Sequence, residues 1–184
     1  CVGYLKEQIK NHYDKNQDYT ITFSEEEEPL GTGGALKNAR SLIRSNPFMV
    51  MNGDSICNVD FRSFVDFHIG KKALLSIVLV RSNTAEDYGS VILDVSQRIV
   101  DFNEKVAGGG ENIINAGVYL MEKDIFSYMP EQSRFSLEYD LFPKIVDNRC
   151  YGFLTEGEFI DIGTPERYEK AKDLYSAGTR KNNF

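Results

Sequence analysis

Histidine, cysteine and proline are all scarce in this sequence of 184 residues, with two, three and five copies. Cys1, Cys57 and Cys150 are an odd number at scattered spacing, which argues against a disulfide framework or a zinc knuckle and fits reduced thiols. With only His12 and His68, both on helical stripes, and no base beside Ser55, a Ser-His or Cys-His nucleophile has little support. Positive charge is also short: 21 Lys and Arg face 28 Asp and Glu, and the net charge of −7 repels nucleic-acid backbones and anionic lipid. The longest apolar run, Ala73 to Val80, falls well short of the ~20 residues that span a bilayer, and no charged-then-apolar leader opens the chain. The expectation is therefore a cytoplasmic protein without nucleic-acid or membrane partners. Five prolines and 15 glycines are too few for a collagen-like or linker-like chain.

What is present is an ordinary globular composition, 41% hydrophobic and 27% charged, with 12 Phe and 10 Tyr to fill a core. Length argues for one domain, expected over residues 1–177 with a disordered tail at 178–184. The chain begins at Cys1 and not Met, and Cys1-Val2-Gly3-Tyr4 reads as the tail of a strand entering a helix, so a preceding segment is expected. A helix over Tyr4 to Tyr13 follows, with Leu5, Ile9, His12 and Tyr13 on one face, and then an alternating strand at Tyr19, Ile21 and Phe23. After the acidic run Glu25 to Glu28, Pro29-Leu30-Gly31-Thr32-Gly33-Gly34 is a glycine turn into a helix with Thr32 as cap. Phe48 to Met51 is a short buried strand ending at Asn52-Gly53-Asp54, and Asp60 caps a helix carrying Phe61, Phe64, Val65 and His68. Ala73 to Val80, apolar on both faces, reads as a central parallel strand. The hairpin Ser90 to Leu93 and Arg98 to Phe102 opens a β-rich insertion, with a flexible stretch at Ala107 to Gly110 and a strand from Ile113 to Met121. A short helix stopped near Pro130, a helical stretch from Ser136 interrupted by Pro143, and the strand Phe159 to Asp161 come next. Thr164 and Pro165 start a closing helix with Tyr168, Ala171, Leu174 and Tyr175 inward. These elements predict a doubly wound, Rossmann-like α/β fold with a mostly parallel sheet and a β-rich insertion.

Three constellations carry chemistry. The first is Glu26-Glu27-Glu28-Pro29-Leu30-Gly31-Thr32-Gly33-Gly34, whose glycines let backbone N–H groups approach a ligand ahead of a helix. It matches neither a Walker loop nor a dinucleotide fingerprint, and by itself it is equally a plain tight turn. The second pairs Asn52-Gly53-Asp54 with Asp161-Ile162-Gly163-Thr164-Pro165. Two strand-end carboxylates suit Mg²⁺, which takes one or two carboxylates plus substrate phosphate oxygens, although each Asp is also a common turn residue. The third is Asp87-Tyr88-Gly89, Glu104-Lys105 and Asn115-Ala116-Gly117, where Asn and Glu can hold sugar hydroxyls and Lys a phosphate, or Glu104-Lys105 is a solvated strand end.

In this order, from about Cys1 to Tyr175, the motifs resemble the sugar-phosphate nucleotidyltransferases (nucleotide-sugar pyrophosphorylases). The resemblance implies transfer of a nucleotidyl group from a nucleoside triphosphate to a sugar 1-phosphate, with release of pyrophosphate, in nucleotide-sugar synthesis for surface polysaccharide such as capsule or lipopolysaccharide. The Pro29 to Ala35 version looks most like members that use GTP with mannose 1-phosphate or manno-heptose 1-phosphates. By resemblance, Leu30, Gly31, Thr32 and Gly33 line the nucleobase, with Gly53 beside the nucleotide. Glu26 reads the base, with Glu28 as competitor, because a carboxylate accepts from both guanine N1–H and the N2 amino group. Asp54 and Asp161 match the Mg²⁺ ligands, Gly89, Glu104 and Asn115 the sugar site, and Lys105 the sugar phosphate. A homodimer is also compatible. The family's G-G-x-G-T-R loop and its downstream P-K belong before Cys1; the natural protein is expected to have them, and this polypeptide alone to be inactive. Three rivals stand: a uridylyl-, thymidylyl- or cytidylyltransferase of the same family; a non-catalytic nucleotide-sugar-binding subunit; and a glycosyltransferase, whose D-x-D metal pair would need Asp where Asn52 stands.

Overall fold

The structure, a computed structural model, describes residues 1–13, 19–82, 90–103 and 112–178. In chain order its elements are α1 (Lys6–Tyr13), α2 (Gly31–Asn38), β1 (Phe48–Met51), β2 (Ser55–Cys57), α3 (Phe61–Lys71) and β3 (Leu75–Ser82). They continue with β4 (Ser90–Leu93), β5 (Ile99–Asn103), β6 (Asn112–Met121), α4 (Phe142–Ile145), β7 (Cys150–Thr155), β8 (Phe159–Asp161) and α5 (Pro165–Gly178). The chain divides into two compact units, one of Cys1–Phe48 with Glu122–Asp147, the other of Met49–Met121 with Asn148–Phe184.

The second unit holds the main sheet, ordered β5-β4-β6-β3-β7, with β1 also paired to β6. The apolar run of β3 is buried from Leu75 to Val80 because neighbours lie on both edges and both faces. Where a mostly parallel sheet is expected this one is mixed: β3 runs parallel to β7, Leu75 opposite Cys150, and antiparallel to β6, Leu75 opposite Met121, and β4 pairs antiparallel with both β5 and β6. Phe64 of α3, wholly buried, packs with Val78, Val80, Ile114, Ala116, Val118 and Leu120. Asp60 caps α3 as expected, accepting from the Arg62 and Ser63 amides. The hairpin of β4 and β5 forms at its expected place and adds to the edge of this sheet, its turn closed by Asp94 Oδ1, which accepts from the Ser96 and Arg98 amides.

Two short strands, β2 and β8, form a separate antiparallel pair with Ser55 opposite Asp161. Asp161 therefore ends a strand of this small ladder and not one of the main sheet. β2 and β7 were not anticipated. Gly152 interrupts the alternation of β7, and it is there because a Cβ would strike Leu79 and Leu93 side chains.

In the first unit α1 begins at Lys6, after Leu5 in the left-handed region at φ 56°, and buries no residue. The expected strand at 19–23 is absent. A single parallel bridge, Val2 to Glu25, takes its place, with the Val2 amide donating to Ser24 O and the Glu26 amide to Val2 O. Thr32 is not the cap of α2: the helix starts two residues earlier than such a cap would give, at Gly31, with Leu30 at the cap position. Ser136 caps a π-helical turn, Leu137–Leu141, that runs straight into α4, and Pro143 is the second residue of α4. Phe48 stacks on Phe126 at 5.7 Å between ring centroids. In β1, Met49 and Met51 face outward, so that strand is buried on one side only. In α5, Ala171 is buried as expected but Tyr168 is half exposed.

Candidate functional site

Asp54 and Asp161 are brought together within the second unit by the β2–β8 ladder, because Ser55, the neighbour of Asp54, lies opposite Asp161. The Ile162 amide donates to Asp54 O at 2.8 Å and closes the ladder beyond its last pair. Both carboxylates lie against Gly163: a Cβ built there would stand 3.0 Å from Asp161 Oδ1 and 3.6 Å from Asp54 Oδ2. The Gly163 amide donates to Asp161 Oδ1 at 2.6 Å, and Arg167 Nη1 donates to Asp161 Oδ2 at 3.1 Å. Arg167 reaches Asp161 from the first turn of α5, whose start Thr164 fixes by accepting the Arg167 and Tyr168 amides. Asp54 is exposed, its Oδ1 receiving the Ser55 hydroxyl at 3.4 Å, while Asp161 is half-buried. Arg167 escapes a reading of the sequence, since a cation three residues past a cap also fits a solvated helix start.

Two hard oxygen donors around one small cradle fit a divalent cation such as Mg²⁺. No group of three or more His, Cys, Asp or Glu that could hold a metal occurs among the described residues, so such an ion would also need oxygens from a substrate.

Asn115 lies within β6, opposite Leu79 of β3, and is engaged within the fold. Its Nδ2 donates to Tyr119 Oη and its Oδ1 accepts the Gly117 amide, both at 2.9 Å. Gly117, at φ +72°, lies under Asn52, whose amide donates to Gly117 O. A carboxamide has two donors and two lone pairs, so Asn115 keeps capacity for one further partner at each end. Gly53 is exposed with nothing within 4 Å of a built Cβ. Gly89, Glu104 and Lys105, expected at the sugar phosphate, lie outside the described residues, as does the glycine stretch before Glu111.

The glycine-rich turn belongs to the first unit, and its environment explains its composition. Phe135 docks on it by backbone, donating its amide to Leu30 O and accepting the Gly33 and Gly34 amides at 3.0 and 3.2 Å. A Cβ at Gly31 would come 2.7 Å from Phe135 O, one at Gly33 would strike the Phe135 ring, and one at Gly34 would strike Ser133 O. The Gly33 and Gly34 amides therefore face protein, which argues against a phosphate cradle at that point. Glu26 Oε2 accepts the Leu30 amide at 3.1 Å and fixes the entry to the turn.

The acidic run is not uniform. Lys10 and Lys6 pair with Glu25 at 2.8 and 3.0 Å, and their hydrogen bonds hold its carboxyl down to about 2. Glu26 is half-buried on the turn, whereas Glu27 and Glu28 are exposed.

The sequence profile of the nucleotidyl transferase family matches residues 1–178, and the chain belongs to that family. Its relatives include D-glycero-alpha-D-manno-heptose 1-phosphate guanylyltransferase of Aneurinibacillus thermoaerophilus, 38% identical over 173 residues, 93% of this chain and 74% of that protein. Mannose-1-phosphate guanylyltransferase of Mycobacterium tuberculosis is 34% identical over 151 residues, but these are 80% of this chain and only 42% of that protein. The crystal structure of HddC from Yersinia pseudotuberculosis complexed with GMP-PN superposes with a TM-score of 0.82 at 35% identity, covering 95% of this chain and 76% of HddC. The α/β class expected from the sequence is thus the fold of a known nucleotidyltransferase family. No described helix is long and apolar enough to cross a membrane.

Proposed function

We propose that the protein transfers GMP from GTP to a sugar 1-phosphate of the manno-heptose or mannose type, giving a GDP-sugar and pyrophosphate. The observation that carries this reading is the likeness, over almost the whole chain, to a manno-heptose 1-phosphate guanylyltransferase and to HddC in complex with GMP-PN. The site geometry supports it in two places. The turn sets the amides of Gly31 and Thr32 next to the Glu26 carboxylate, which is held at the entry by the Leu30 amide, and donors beside an acceptor are the complement of a guanine edge. Asp54 and Asp161 offer a two-carboxylate seat of the kind a metal–triphosphate needs.

In this reading an oxygen of the sugar phosphate attacks the α-phosphorus of GTP in line, the new P–O bond forming as the bond to pyrophosphate breaks. Mg²⁺, held by Asp54 and Asp161 when bound, would supply positive charge against the phosphate oxygens. Within the chain, the Gly163 amide and Arg167 keep the Asp161 carboxylate in one orientation, so no reorganisation is needed when substrate arrives. Gly89, Glu104 and Asn115 would hold the sugar and Lys105 its phosphate. The work of the protein is positioning and charge compensation, with no covalent intermediate on the chain.

The test is substitution in the full-length protein. Asp54→Ala and Asp161→Ala should each remove most turnover, with circular dichroism and thermal melting close to wild type, and EDTA should do the same to the unaltered protein. Wild-type kcat in Asp161→Ala with Mg²⁺ would sink the two-carboxylate site.

A further inference from the structure

We propose that Glu138 is a positioning residue for the nucleotide, acting through Thr32 on the glycine-rich turn. The inference rests on the reading of that turn as the nucleobase wall and adds a residue 106 positions away in sequence.

Thr32 Oγ1 donates to Glu138 Oε2 at 2.6 Å and accepts the Leu137 amide at 2.9 Å, so its hydroxyl is oriented from both sides. The same Glu138 oxygen receives the Ser136 hydroxyl at 2.8 Å, and Ser136 Oγ accepts the Glu138 and Tyr139 amides. Glu138 is thereby fixed on its own turn before it reaches across to Thr32. Hydrogen bonds to a carboxylate are short and about twice as strong as neutral ones, and both hydroxyl contacts are of this kind. The remaining contacts that dock Ser133 to Leu137 on the turn run through the Phe135 backbone and need glycine at 31, 33 and 34 for closeness. Those contacts set how near the segment lies. The Glu138–Thr32 bond sets where Thr32 stands along it. With Glu26 holding Leu30 at one end and Glu138 holding Thr32 at the other, the stretch Leu30-Gly31-Thr32 is pinned at both ends by carboxylates.

A turn released at Thr32 must be reordered by the nucleotide, so the loss falls on GTP and not on the sugar phosphate. In the full-length protein Glu138→Ala should raise the Kd for GTP on the order of tenfold, the weight of one hydrogen bond to a charged group. The KM for sugar 1-phosphate should stay within about twofold, since no sugar contact is touched. Glu138→Gln keeps an acceptor oxygen for both hydroxyls and should restore most of the affinity. Thr32→Val, which also strips the Leu137 amide of its acceptor, should weaken GTP at least as much as Glu138→Ala, and the double variant should be no worse than Thr32→Val alone. Gly31→Ala, which pushes the turn directly, separates the two levels of the argument. If Gly31→Ala weakens GTP while Glu138→Ala and Thr32→Val do not, the positioning role is wrong and the turn reading stands. If none of the three moves the Kd for GTP, the turn reading fails and the proposal with it. Equal losses for both substrates, or additive losses in the double variant, also overturn the proposal.

Discussion

Glu26 accepts the Leu30 amide with Oε2 alone, and each carboxylate oxygen has two lone pairs, so the group can hold the turn and still receive both donors of a guanine edge. Glu28, exposed on the same run, has no such anchor among the described residues. A bidentate contact of this kind discriminates by ~1–3 kcal/mol, roughly ten- to hundredfold. Glu26→Gln keeps an oxygen for Leu30 but replaces one acceptor with an amino group, so it should erode the preference for GTP over UTP, while Glu28→Gln should leave it intact. Ratios of kcat/KM for the two nucleotides check this, and equal effects would return the whole run to a solvated acidic surface. At this scale the sequence was legible where one residue does one job, as with Asp60 at its cap, whereas Asp54 lies in the turn between β1 and β2 and not at the end of β1. It was not legible where the partner is remote: nothing near Thr32 tells that its hydroxyl faces Glu138 and not its own helix N-terminus.

Helix α3 shows how an element can be read from local chemistry. Asp60 accepts the Ser63 hydroxyl at 2.7 Å and two backbone amides, and the Ser63 contacts hold its carboxyl below the ordinary value of 3.8. A lowered folded-state value means the stabilisation is fully present above the unfolded value and is lost as pH falls through the folded one. Asp60→Ala should therefore lower Tm by roughly 2–4 °C at neutral pH. That gap should narrow below about pH 4, and a pH-independent gap would show that the charged cap is not its source. The β2–β8 ladder was hidden for the opposite reason: three residues carry no usable periodicity, and the pair exists because Ser55 and Asp161 meet across 106 positions. That ladder is nonetheless what joins the two aspartates, a juxtaposition that their positions in the sequence do not reveal. β7 was lost to Gly152, a residue that normally weakens a strand and here is required by Leu79 and Leu93.

For the whole molecule, composition and charge excluded more than they assigned. A net charge of −7 sits oddly with two anionic substrates unless cations are gathered locally, and Lys105 and a bound Mg²⁺ are the candidates proposed above. The order of weak motifs along the chain, which no single motif could supply, is what led to the family, and its match over residues 1–178 agrees with that order. The most direct test of guanylyl transfer is kcat/KM of the full-length protein for GTP, UTP, dTTP and CTP, each with mannose 1-phosphate and a manno-heptose 1-phosphate, followed by pyrophosphate release. GTP should lead the other triphosphates by roughly ten- to hundredfold with at least one of the two sugar phosphates. A preference for UTP or dTTP with either sugar would contradict the account.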